Sequence, residues 1–197
     1  YCGDGNPTIN FDGADSEKRI LLLSWLNSLI CDTYFRMTLS GNNFVWAALS
    51  KTIIPDVSSE FTNQVIDVIG NVALQHSSMH NIAEELNIDK YPLTREDKNL
   101  RLAITDALWA HHIGLNLDEV VHISRDCHTE NQKRTNNFDP KGFWRIDYDL
   151  PPGQRHTVLF VAAFIDMKSK SSKLVLQNGI AERSIEQAIS EIGGYQT

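Results

Sequence analysis

Apolar residues recur at the spacing of an α-helix along most of this 197-residue chain, and this pattern most constrains its fold. The longest such stretch runs from about residue 58 to 86, and His76 lies on its apolar stripe. Another covers residues 94–112, where Thr94 and Asp97 form a capping arrangement at its start. Amphipathic helices bury their apolar faces by packing together. The pattern therefore predicts a mainly α-helical protein.

Four more helices are predicted from apolar periodicity and capping residues. They cover residues 17–37, capped by Asp15 or Ser16; residues 44–54, stopped by Pro55; the stretch after Asn116, which caps together with Glu119; and residues 179–194.

The segment from 143 to 167 has a different pattern. Its first part, FWRIDYDL, alternates like a half-buried strand. Its last part, HTVLFVAAFIDM, fits a buried strand or a buried helix, and periodicity does not separate the two. The predicted fold is thus a single-domain helical bundle that allows a short β-hairpin between residues 143 and 167, with α+β as the alternative.

Chain length and local composition predict the domain organisation. Residues 1–13 are rich in Gly, Asn, Asp and Pro and are expected to form an N-terminal loop or linker. Residues 14–197 are long enough for one hydrophobic core and are predicted to be a single helical domain. Because the chain starts at Tyr1 and not at methionine, we expect a processed product or one domain of a larger protein.

Charge and hydropathy exclude several classes of function. The formal net charge is −7 and the pI about 5.4, so the chain lacks the basic footprint of a nucleic-acid binder. Its longest apolar run is far short of the roughly 20 residues that a membrane span needs. No signal-peptide pattern is present. We therefore expect a cytoplasmic protein, or one secreted by a route that needs no signal peptide, with a protein partner and no nucleic acid.

Four of the seven histidines fall between residues 107 and 132. His122 and Asp126 are four residues apart and share a helix face, as an imidazole–carboxylate pair would in a metal site or a general base. His128 and Glu130 add further candidate ligands. The alternative is that an ordinary helix has a solvated face, made of His122, Arg125, Asp126 and Glu130.

His76 and His80 are also four residues apart, but HSSMH lacks the glutamate of the H-E-x-x-H zinc-protease motif. Helical-hairpin geometry makes His76 and His111 poor partners for one metal ion. A joint His111–His122 site is easier. The alternative for His76 and His111 is a core histidine that hydrogen-bonds to a neighbouring helix.

Thiol chemistry has weak support. The three cysteines are widely separated and form no C-x-x-C motif. His156 opens an apolar segment, like the histidine strand of papain-like amidases, but Cys31 is predicted to lie in the middle of a helix, without the activating N-terminal dipole.

Three stretches carry a family resemblance: YFRMTLSGNNFVWAALSK (34–51), VIGNVALQHSSMHNIAEEL (68–86) and HTENQKRTNN (128–137). Their order and spacing resemble a helical domain of bacterial proteins that accompany type VI secretion or polymorphic-toxin systems. The resemblance implies no particular activity. It marks as positions of interest Trp46, Asn71, Gln75, His76, Glu130 and Gln132.

The resemblance and the histidine density lead to the functional expectation. The chain is expected to be part of a secreted, toxin-like effector, and whether it is an enzyme is left open. If it is one, its chemistry is expected to be hydrolytic, with a divalent metal as one option. The candidate acids, bases or metal ligands are His76, His122, Asp126, His128 and Glu130. The alternative is a non-catalytic interaction module, namely an adaptor, an immunity protein or a structural subunit.

Overall fold

The computed structural model describes residues 13–38, 53–126 and 150–192. Over these residues the protein is a mainly α-helical bundle, as predicted, and they contain no strand. The helices are α1 (Ser16–Leu26), α2 (Leu29–Thr38), α3 (Ser59–Ala73), α4 (His80–Glu85), α5 (Arg95–His112), α6 (Leu117–Asp126), α7 (His156–Met167), α8 (Ser172–Asn178) and α9 (Glu182–Ile192).

Helices α5 and α7 form the centre of the bundle. They pack against each other along most of their lengths, while α2, α3 and α8 also contact α5, and α6 and α9 contact α7. Trp109 of α5 and the α7 residues Phe160 and Phe164 are among the largest fully buried side chains. No helix of the described residues is long and apolar enough to cross a membrane.

The structure contains two helix caps that the sequence predicted. Thr94 and Asp97 form a reciprocal capping box at the start of α5, as predicted. At the start of α6, the Glu119 N–H donates to the Asn116 side chain, and the Asn116 N–H donates to the Glu119 carboxylate. These caps satisfy N–H groups that have no partner within the helix.

The predicted helix over residues 17–37 is in fact two helices, because α1 ends at Leu26 and α2 begins at Leu29. Short polar side chains near the end of α1 hydrogen-bond to carbonyls of the preceding turn and so compete with helix continuation. The Leu29 N–H donates to the Asp106 carboxylate of α5, at 3.0 Å, and not to a carbonyl of α1. The competing bonds run from Ser24 to Leu21, from Asn27 to Leu23 and from Ser28 to Trp25.

The prediction of one helix from residue 58 to 86 was also wrong. Helix α3 ends at Ala73, and a 3-10 turn at Ser77–Met79 leads into the short α4. Two serines, Ser77 and Ser78, follow the break, and serine has only modest helix propensity. His76 therefore leaves the apolar stripe on which the sequence placed it, and it is exposed.

Residues 156–167 are a helix, which resolves the alternative that the sequence left open. This helix is apolar on nearly all sides because α5, α6 and α9 surround it. The strand predicted over 143–150 lies outside the described residues except for Leu150. The helix predicted over 44–54 likewise lies largely outside them, and its last residues, Ile53 and Ile54, are not helical.

Helix α8 was not predicted; its N-terminal cap is the Ser171 side chain, which accepts a hydrogen bond from the Leu174 N–H. The division into a loop over residues 1–13 and one domain over 14–197 stays a prediction.

Asp166, near the end of α7, fastens the C-terminal helices to the core. Its buried carboxylate accepts hydrogen bonds from the Ser184 hydroxyl at 2.6 Å, the Ala181 N–H at 2.8 Å and the Lys170 ammonium at 3.0 Å. Burial alone would raise the pKa of Asp166, but these donors hold it below the ordinary value of 3.8. The charged form therefore stabilises the attachment of α9 to α7.

We expect Asp166→Asn to lower the free energy of unfolding by about 2 kcal/mol at pH 7, because an amide accepts more weakly from three donors than a carboxylate does. Since the folded pKa is lowered, this contribution is present above about pH 4 and is lost as the pH falls through the folded value. Urea unfolding of both proteins at neutral and acid pH measures the difference. Glu186→Gln, on the exposed face of α9, is the control. An equal difference at both pH values would contradict this account.

Candidate functional site

The structure locates two of the predicted site residues on separate elements. His76 lies in the link between α3 and the 3-10 turn, where its carbonyl accepts a hydrogen bond from Lys90. His122 is exposed on α6. Asp126 is the last residue of that helix. His128 and Glu130 lie outside the described residues.

Metal binding was one option for these residues. Within residues 13–38, 53–126 and 150–192, no three His, Cys, Asp or Glu side chains converge in a way that would hold a metal ion. Because His128 and Glu130 fall outside these ranges, the role of the five predicted residues stays a prediction.

His111 and His112, at the end of α5, make structural bonds. The His111 Nε2–H donates to the Phe164 carbonyl at 3.0 Å, and its ring stacks on the Phe164 ring at 4.1 Å. His112 Nε2 lies 2.7 Å from the Asp56 carbonyl, and its ring stacks on Phe61. His111 is half-buried and bonds to the neighbouring helix α7, which is the hydrogen bond that the alternative interpretation predicted. The joint His111–His122 site stays a prediction.

Two residues marked by the family resemblance hold a loop in place. Asn71 Nδ2 donates to the Asp89 carbonyl at 2.7 Å, and Gln75 Nε2 donates to the Tyr91 carbonyl at 3.0 Å. The end of α3 is thereby tied to the segment that precedes α5. Asn71 and Gln75 consequently have a structural role that explains their spacing. Of the other marked positions, Trp46, Glu130 and Gln132 lie outside the described residues.

Cys31 is unsuited to nucleophilic catalysis. It lies in the first turn of α2, not in mid-helix as predicted, and its N–H donates to the Ser28 hydroxyl. Its side chain is fully buried, and burial, with a smaller effect from Asp32, raises the pKa of the thiol to about 12. The sulfur is therefore protonated at neutral pH, and the nucleophile of a cysteine enzyme is a thiolate.

A buried imidazole–carboxylate pair lies elsewhere, between α5 and α7. His156 Nε2 is 2.7 Å from Asp106 Oδ2, and both side chains are more than nine-tenths buried. The other oxygen of Asp106 accepts from the Leu29 N–H. An ionised carboxylate only accepts hydrogen bonds, so His156 donates through Nε2. Asp106 thus joins α2, α5 and α7.

Asp106 also contributes to the lining of a cavity of about 200 Å³ between α1, α3 and α5. Most of the lining is apolar, and its polar members besides Asp106 are Ser24, Asn27 and Thr105. Leu23 and Asn27 are both exposed and connect the cavity with solvent. Apolar cavities with a few convergent polar groups are the usual form of small-molecule sites. This cavity is the candidate binding site of the described residues.

This site was not predicted from the sequence. Asp106 is a lone carboxylate within an apolar stretch of α5, ITDALWA, and a buried Asp needs partners. A carboxylate in an otherwise apolar stretch was the feature of the sequence that could have indicated this site. Neither of its partners is close in sequence, since Leu29 is 77 residues away and His156 is 50 residues away.

No protein-family model, curated protein or solved structure matches the chain. The resemblance to a domain of secretion and toxin systems therefore rests on the sequence motifs alone. The candidate site is inferred from the geometry of the cavity and its lining.

We expect Asp106→Leu to lower the free energy of unfolding by about 3–5 kcal/mol, because it leaves the Leu29 N–H and the His156 ring without their shared acceptor. Asp106→Asn should cost less, since its amide oxygen still accepts from Leu29. Chemical denaturation measures both. As a control, Asp67→Leu removes an exposed carboxylate from α3 and should change stability by less than about 0.5 kcal/mol. A small effect of Asp106→Leu would show that the carboxylate does not organise the core.

His111 provides a test of pH dependence. Burial lowers the pKa of its imidazole below the ordinary 6.5, and the nearby Lys168 lowers it further, while the bond to Phe164 acts in the opposite direction. A lowered imidazole pKa gives stability that is present above about pH 6.5 and is lost as the pH falls through the folded value. In His111→Gln, whose amide can still donate to Phe164, the loss between pH 7 and pH 5 should be smaller than in the wild type. Identical pH profiles would contradict this assignment.

Proposed function

We propose that the chain is a non-catalytic protein-interaction module of a bacterial secretion or toxin system: an adaptor, an immunity protein or a structural subunit. The observation that carries this proposal is the role of its buried charged or basic side chains. Over residues 13–38, 53–126 and 150–192 these are Arg101, Asp106, His156 and Asp166, and each bonds to another element of the bundle. These side chains therefore use their hydrogen bonds to hold the helices together. The outer surface of the protein then recognises the partner.

The distribution of charge supports a basic partner. Residues 53–126 contain twelve acidic and five basic side chains, whereas residues 150–192 are close to balanced. The acidic excess therefore belongs to the part of the chain that contains α3 to α6. Surfaces of one sign steer a partner of the opposite sign and select against partners of the same sign.

The second candidate is the hydrolytic effector expected from the sequence. It is favoured by the exposure of His122 on α6, four residues before Asp126. An exposed imidazole–carboxylate pair, His80 and Glu84 on α4, has its nearest nitrogen and oxygen 3.2 Å apart. Such pairs can move protons or bind a metal. They are also common on helix surfaces without any catalytic role.

For the interaction module, we expect a stoichiometric complex with a product of a gene beside its own. Affinity should fall by about tenfold or more between about 0.05 and 0.5 M salt, because screening weakens contacts between exposed charges. Co-expression, native mass spectrometry and a salt titration measure both points. Asp67→Lys on α3 should weaken the complex, and Glu186→Lys on α9 is the matched charge reversal in the balanced region. The proposal would be contradicted if no such complex forms. It would also be contradicted if neither salt nor Asp67→Lys weakens the complex.

The same samples separate the two candidates. The interaction module predicts that the untagged protein carries no stoichiometric zinc, manganese or iron. The effector predicts growth inhibition on expression that His122→Ala abolishes. Inhibition that depends on His122 would overturn the non-catalytic proposal.

A further inference from the structure

We propose that the cavity between α1, α3 and α5 binds a small neutral molecule, apolar except for one N–H or O–H donor. This site is independent of the proposed partner surface. It follows from the size of the cavity, the chemistry of its lining and the hydrogen-bond state of each polar group there.

The size of the cavity sets the size of the ligand. Its volume is about 200 Å³. An apolar cavity of about 150 Å³ can hold one benzene molecule. The cavity therefore suits a single ring or a small fused ring system, and the exposed Leu23 and Asn27 at its edge give an entry from solvent.

The residues that line the cavity indicate that most of the ligand is apolar. Its apolar members come from three helices: Ile20 and Leu23 of α1, Ile69, Val72 and Ala73 of α3, and Leu102 of α5. No basic side chain lines the cavity, and Asp106 is the one acidic side chain there. An anionic ligand would meet that carboxylate without a compensating cation. A neutral, mostly apolar ligand avoids this penalty.

The hydrogen bonds already made by the polar lining residues indicate which polar group the ligand carries. The Ser24 hydroxyl already donates to the Leu21 carbonyl and accepts from the Trp109 indole. The Thr105 hydroxyl donates to the Arg101 carbonyl, so it presents only lone pairs. Asp106 is an acceptor as well, and its two oxygens have capacity beyond their bonds to Leu29 and His156. The buried polar groups of the lining are thus acceptors, and the ligand must bring the donor.

Indole and benzofuran form a matched pair of probes, because they share a shape and differ in the ring N–H. We expect indole to raise the melting temperature of the wild-type protein in a concentration-dependent way and to give saturable calorimetric binding. Benzofuran should bind at least several-fold more weakly. Equal affinity for the two probes would overturn the donor requirement, and binding of neither would overturn the site.

Two variants fill the cavity from two different helices. Ala73→Leu on α3 and Leu102→Phe on α5 should each reduce indole affinity tenfold or more while keeping the helical circular dichroism and the cooperative melting of the wild type. Ala14→Leu, at a half-buried alanine outside the cavity, should bind as the wild type does. Because the two variants act from different helices, either one that remains folded is sufficient. Undiminished binding by a folded variant would place the ligand elsewhere and overturn the proposal.

Discussion

The carboxylate of Asp106 lies where α2, α5 and α7 meet. It belongs to α5, accepts from the first N–H of α2 and pairs with His156, the first residue of α7. A buried carboxylate is costly without such partners, and the start of a helix offers unpaired N–H groups and a favourable dipole. The break between α1 and α2 follows from this requirement, because an uninterrupted helix would use the Leu29 N–H itself.

Other buried polar groups work in the same way at different junctions. Asp166 connects α7 with the start of α9. Arg101 of α5 donates to the Val68 carbonyl of α3. Asn71 at the end of α3 holds the Asp89 segment. These bonds fix the relative positions of helices whose apolar contacts alone are less specific. These buried polar groups therefore position the helices, and Asp106 also lines the cavity between α1, α3 and α5.

The sequence predicted what depends on nearby residues. The capping box of Thr94 and Asp97 and the mainly helical fold required only local patterns. The break at residues 27–28 could not be predicted, because the acceptor that replaces the helical carbonyl lies 77 residues away. The end of α3 depends on a loop that returns to Asn71 and Gln75.

The candidate site was harder still to predict. Histidine density drew attention to His76 and His122, which are exposed, whereas the cavity is lined by residues of three separate helices. No local pattern connects Ser24, Ala73 and Asp106 before the helices pack. His156 was noticed for its position before an apolar segment, but its partner could be identified only from the packing of α7 against α5.

The central claim is that Asp106 organises the core, and the exchange rate of the Leu29 amide proton tests it most directly. Hydrogen exchange measured by NMR reports the free energy of the opening that exposes each amide. If the Leu29 N–H donates to a buried carboxylate, its exchange should require an opening about as costly as those of the central residues of α5. Exchange as fast as that of an exposed turn would contradict the account.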